Sequence, residues 1–214
     1  MRTFLVVALA AGLAAPAFAG PDWVERGDAG SFIATAQITT GTGGIRSLVG
    51  ELSAADRGTA DLEDVYIIRI DDPSAFSITL VNANFTPALY LFNLTQASQA
   101  LGLLGVNGTL VSTSTDGTQA QVTEPGLYAL AVTYAGNIPQ SRTGAIFNFT
   151  SPTEISGPDG PGGINPLQSW NPTVPLVGGN YDLDVDGVDF ADVPAPGAAM
   201  LLGAAGLLAA RRRR

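Results

Sequence analysis

The 214-residue chain contains no cysteine, no histidine and no lysine; its ten basic residues are all arginines. Each absence removes a class of chemistry. Without cysteine there is no disulfide framework and no thiol nucleophile. Without histidine, Ser-His-Asp and Cys-His arrangements are impossible, and so are histidine-based zinc sites. The glycine-rich stretches at 41–44 and 160–163 lack a following lysine and helix, so neither is a phosphate-binding loop. Five arginines (26, 46, 57, 69 and 142) stand between residues 21 and 192 with all 19 acids, which leaves that stretch near −14. A surface of that sign does not neutralise phosphates, which excludes nucleic acid as a partner, and anionic lipid headgroups repel it. Sustained helical periodicity is also missing between the two ends of the chain.

What is present begins with those ends. Arg2, an apolar core over 4–13 and the small-x-small series Ala17-Phe18-Ala19 before Gly20 read as a helical signal peptide over 1–19. The Sec export machinery is its expected partner, with cleavage after Ala19. At the other end stand Val193, Pro194, Ala195, Pro196 and Gly197, an uncharged Ala/Leu/Gly run to Ala210, and then Arg211, Arg212, Arg213 and Arg214. As a helix the run from 197 to 210 spans about 21 Å, less than the roughly 30 Å hydrocarbon core. Counted from Val193 it reaches eighteen residues, which suffices where the bilayer thins. The arginines act as a membrane stop on the cytoplasmic side. Gly197, Gly203 and Gly206 weaken the run as a permanent helix.

Taken in that order, motif, hydrophobic helix and arginine block resemble the PEP-CTERM sorting signal of Gram-negative bacteria, in its Val-Pro-Ala-Pro-Gly variant with Ala195 where the family has Glu. The resemblance covers residues 193–214. It implies a membrane-embedded exosortase as partner, a transient stay in the inner membrane, and release to the cell surface or extracellular matrix. The other reading of the same residues is a membrane anchor that is never cut.

Between the ends, 172 residues are enough to bury a core without disulfides and read as one domain. Residues 20–30 form a polar lead-in carrying Trp23, and 31–192 the folded body. Period-two apolar runs, separated by Gly, Asp, Asn and Pro, predict strands at 64–70, 76–80, 88–92, 126–134 and 145–149. Weaker runs lie at 33–38, 45–52, 109–113 and 119–123, and 94–105 reads as a loop with a turn of helix. The Pro/Gly-rich segment 151–179 reads as a long irregular connection, and 180–191 as a closing strand pair or bent strand. Many short strands at this spacing predict an all-β fold, an antiparallel β-sandwich of two sheets packed face to face. Asp64-Val65-Tyr66, Ile70-Asp71-Asp72-Pro73, Leu89-Tyr90-Leu91-Phe92 and Pro125-Gly126-Leu127-Tyr128, in that order, resemble the bacterial pre-peptidase C-terminal domain. That resemblance covers about residues 45–134 and implies a jelly-roll-like sandwich found beside secreted enzymes. Thr86-Pro87-Ala88 and Asn93 replace acids expected there.

Three residue sets are candidates for binding. Asp182, Asp184, Asp186 and Gly187 spell D-x-D-x-D-G, the opening of a calcium loop, but the twelfth position is Val193 and Asp192 comes one residue early. In a strand the same acids would line the solvent face. Asp61, Glu63 and Asp64, with Asp71 and Asp72, make a second acidic cluster, read either as turn formers or as a cation site. Trp23 and Trp170, with Tyr90 or Tyr134, are either core or a surface that stacks sugar rings. No pair of carboxylates is singled out for glycoside hydrolysis. The sequence therefore predicts no catalytic residues and no obligatory cofactor, with calcium the one candidate ion. The expected role is a non-enzymatic surface or matrix protein, structural or adhesive. The alternative is a carbohydrate- or calcium-dependent binding module, with an exopolysaccharide or surface glycan as ligand.

Overall fold

The computed structural model describes residues 22–53, 61–94, 104–106, 109–119, 122–173 and 178–191. The expected signal peptide, with Ala17 and Ala19, and the sorting tail, with Val193–Gly197 and Arg211–Arg214, lie outside them. Among the described residues the chain is strand, turn and bend without helix, so none of it is a helix long and apolar enough to cross a membrane.

In chain order the strands are β1 (Trp23–Val24), β2 (Gln37–Ile38), β3 (Ser47–Leu52), β4 (Glu63–Ile70), β5 (Ser77–Ala83), β6 (Pro87–Asn93), β7 (Leu104–Val106), β8 (Thr109–Val111), β9 (Gly126–Tyr134), β10 (Asn137–Ser141), β11 (Gly144–Ala145), β12 (Ser169–Pro172), β13 (Gly179–Asp186) and β14 (Val188–Phe190). The first sheet runs β1-β3-β13-β5-β8 and the second β14-β4-β9-β6-β7, with β2 also on β4. A small third sheet runs β11-β10-β12. Pairing is antiparallel except for β1 on β3 and β2 on β4, so the sheets are mixed rather than purely antiparallel. Both exceptions come from the N-terminal segment, which travels alongside β3 and then β4 in their own direction.

The burial pattern of each strand follows its sequence. In β13, Tyr181, Leu183 and Val185 are buried while Asn180, Asp184 and Asp186 are exposed, the alternation of a sheet with one wet face. β6 is apolar without interruption until Asn93 and is buried at every position; β4 is buried at all but Arg69. Such continuous runs belong to strands covered on both faces. Leu48, Leu52, Ile78 and Leu183 of the first sheet share one core with Ile68, Leu91, Leu130 and Val132 of the second, a sandwich-like arrangement. The far face of the second sheet (Val65, Ile67, Ala88, Tyr90, Phe92, Ala129) is covered by Ile146, Phe147, Phe149, Leu167 and Trp170. Each large apolar side chain buried in this way contributes about 2–3 kcal/mol.

Several expectations shift. Of 145–149 only Ala145 is strand, in the two-residue β11, and Ile146 and Phe147 beyond it are buried against the far face of the second sheet. Of 33–38 only Gln37–Ile38 pairs. The described part of 119–123 holds no strand, and 94–105 ends in β7. The connection over 151–179 contains β12, and the lead-in contains β1. The closing segment is a bent strand: β13 and β14 are separated by Gly187 alone yet lie in different sheets. Gly187 has φ +66°, and a Cβ there would stand 2.8 Å from the Ala75 carbonyl carbon. Only glycine turns that corner cheaply.

Candidate metal centre

The N-terminal segment joins both sheets at one seam. Leaving β1, the Glu25 amide donates to the Val49 carbonyl of β3 (2.9 Å); a few residues on, the Val65 amide of β4 donates to the Gly30 carbonyl (3.0 Å). Ser53, just after β3, and Asp61, just before β4, form an isolated antiparallel bridge. Three carboxylates meet there. Glu25, Asp61 and Asp64 each place an oxygen within 4.8 Å of the others.

Backbone and tyrosine donors hold two of them. Glu25 accepts from the Ala29 amide through Oε1 (3.0 Å) and from the Glu51 amide through Oε2 (2.9 Å). Asp64 has no exposed surface. Its Oδ2 accepts from the Tyr181 hydroxyl at 2.5 Å, and that hydroxyl lies 2.5 Å from the Tyr66 hydroxyl. Since Tyr181 spends its proton on Asp64, Tyr66 donates to Tyr181, giving a chain that runs from one sheet to the other through the core. Gly50 makes room for it: a Cβ there would overlap Tyr181 Oη and stand 2.7 Å from Tyr66 Oη. The other oxygen, Asp64 Oδ1, is buried and has no hydrogen-bond partner. A buried carboxylate oxygen left so is costly.

Burial pushes Asp64 up to about 8, with the charges of Glu25, Asp61 and Asp28 adding to it against the Tyr181 hydrogen bond. Burial likewise raises Asp61 to about 7, helped by Asp28, Glu25 and Glu63. Glu25 is raised, first by burial, although its two backbone donors oppose the shift. Three described arginines are engaged elsewhere: Arg26 lies 5.0 Å over the Trp23 ring, Arg46 pairs with Asp22 at 2.8 Å, and Arg69 donates to the Ala191 carbonyl. The seam therefore holds acids whose ionised forms burial and mutual repulsion disfavour.

The other candidates are arranged differently. Asp182, Asp184 and Asp186 sit at alternate positions of β13, so neighbours project about 6.6 Å apart along an extended strand. Among the described residues the three acids whose carboxylate oxygens lie within 4.8 Å of one another are Glu25, Asp61 and Asp64, and this series is not such a group. Asp186 instead accepts from Ser77 Oγ at 3.3 Å. Glu63 faces away from the triad, accepting from Asn137 Nδ2. Asp71 and Asp72 follow the far end of β4, about 23 Å from Asp64. Asp72 is a turn former, accepting from the Ser74 amide (3.0 Å) and hydroxyl (2.6 Å).

The aromatic candidates are core. Trp23 is buried edge-on against Phe190 (6.0 Å), and Tyr90 and Tyr134 are buried as well. Trp170 lies 5.7 Å from Tyr90 and donates from Nε1 to the Ser31 carbonyl at 2.7 Å. These four rings do not form an open stacking surface.

Reading the sequence paired Asp61 with Asp64 but left Glu25 in the lead-in. Asp22-Trp23-Val24-Glu25 does not alternate, since Trp23 and Val24 are both apolar, so nothing local in the sequence marks β1 or ties Glu25 to the two aspartates. The chain matches no family model, no curated protein and no solved structure.

Proposed function

We propose that this is an exported, non-enzymatic β-sandwich, carried to the cell surface or extracellular matrix by a PEP-CTERM-like tail, with a structural or adhesive role. The observation that carries the reading is the pairing of two processing-type ends with an acidic all-β body between them. The Sec machinery would remove residues 1–19, an exosortase would act near Val193–Gly197, and Arg211–Arg214 would hold the intermediate in the inner membrane. The resemblance to the pre-peptidase C-terminal domain gains support from strand order. Numbering β3, β4, β5, β6, β7, β8, β9 and β13 as one to eight, the two sheets read 1-8-3-6 and 2-7-4-5, the order of a jelly roll.

A non-catalytic role also fits the acids. The carboxylate triad Glu25, Asp61 and Asp64 includes one with no exposed surface, out of reach of a polysaccharide. The intact mass of the secreted protein tests the reading. A mature chain that begins at Gly20 and ends near Val193 is expected; a secreted mass that retains Arg211–Arg214 refutes processing.

A further inference from the structure

We propose that Glu25, Asp61 and Asp64 form a calcium site that clamps the N-terminal segment onto the seam between the two sheets. The argument is geometric. Two oxygens bound to one Ca2+ at 2.3–2.6 Å stand at most about 5 Å apart. The three carboxylates meet that limit, each offering an oxygen within 4.8 Å of the other two. They come from three separate pieces of chain: the segment after β1, the end of the β3–β4 connection, and β4 itself.

A second, independent feature points to a ligand. Asp64 is completely buried, and one of its carboxylate oxygens has no partner while the other is held by Tyr181. The hydroxyl chain through Tyr181 and Tyr66 fixes this carboxylate in place, and Gly50 is the gap that admits the chain. A carboxylate fixed by a hydrogen bond at one oxygen and unpartnered at the other is the arrangement of a metal ligand supported by its neighbours. The donor set is all hard oxygen, without nitrogen or sulfur, which selects calcium-type ions over zinc or copper. Glu25 keeps both backbone hydrogen bonds while it ligates, because each carboxylate oxygen has a further lone pair. Water completes the shell.

The inference does not depend on where the protein is delivered. It predicts one ion per chain with an affinity of roughly 0.1–1 mM, the range of extracellular modules. Calcium at tenfold that constant should raise the melting temperature of the purified full-length protein by about 3–6 °C over the chelated form. Tb3+ at the same site should luminesce when tyrosine is excited, through Tyr181 and Tyr66, and calcium should quench the signal by displacement. Asp64→Asn, which keeps an acceptor for Tyr181, should fold and lose both responses. Glu25→Gln serves where Asp64→Asn does not fold. The double variant Asp184→Asn, Asp186→Asn should keep both.

Three results would overturn the assignment. One is no rise in melting temperature at about 10 mM calcium, ten times the weakest expected constant. Another is a full response in both Asp64→Asn and Glu25→Gln. The third is an equal response to magnesium, whose shorter bonds and octahedral demand this splayed set does not meet.

Discussion

The molecule holds acids in two ways, on one strand and at one seam. Along β13, Asp184 and Asp186 pair with Thr79 and Ser77 of β5, and Asp182 pairs with Asn82 beyond a shift of register. At the seam, Glu25, Asp61 and Asp64 arrive from three directions and converge. The strand series looks like a metal motif in the sequence; in the fold Asp184 and Asp186 are exposed and Asp182 is half-buried. The seam set is half visible in the sequence, which groups Asp61 with Asp64 but not with Glu25, and in the fold its carboxylates meet. Convergence is a property of the fold, and a regular strand spreads its side chains apart.

The contrast can be broken at Gly50, where the largest effect is expected. Gly50→Ala drives a methyl into the Tyr181 and Tyr66 hydroxyls, disrupts the hydrogen-bond chain to Asp64 and strains the core. A loss of about 3 kcal/mol in urea denaturation is expected.

Tyr181→Phe sharpens the comparison within a single strand. It strips Asp64 Oδ2 of its donor and should cost about 2 kcal/mol, whereas Asp184→Asn, three residues away on the wet face, should stay within about 0.5 kcal/mol. Equal effects from the two would erase the distinction between buried and exposed faces of β13.

The smallest effect is a slope with pH, measured in chelator. Asp61 and Asp64 have folded values near 7 and 8, above the unfolded value near 3.9. The folded state therefore binds more protons than the unfolded state between about pH 4 and pH 8. Their contribution to stability is complete below pH 4 and is lost as pH rises through 8. Melting temperature should fall across this window, and Asp64→Asn should flatten the fall. A melting temperature that rises across it in chelator would reverse the sign assigned to these groups.

Much of this fold was legible in residues that alternate or run apolar without a break. The run 126–134 is β9 to the residue, and 64–70 is β4 less Glu63. Burial on both faces shows in the unbroken Ala88-Leu89-Tyr90-Leu91-Phe92. The third layer was not legible for the same reason. β10 contains Pro139 and β12 ends in Pro172, which by composition signal loops. They are strands because the apolar far face of the second sheet needs a cover, a demand that arises only after the sheet has formed. The seam was half legible: Asp61 and Asp64 are near neighbours, but Glu25 reaches them only through the parallel pairing of β1 with β3, and no local pattern announces a two-residue parallel strand.

The glycine corner between β13 and β14 has a mechanical consequence. β13 is an interior strand, flanked by β3 and β5, whereas β14 is three residues at the margin of the other sheet. Tension applied beyond Ala191 first meets β14 and the Thr39 and Arg69 contacts that hold Ala191. Once those yield, the load passes through Gly187 into a strand gripped from both sides, where rows of hydrogen bonds must shear together. The C-terminal end of the body is thus a weak catch in series with a strong one.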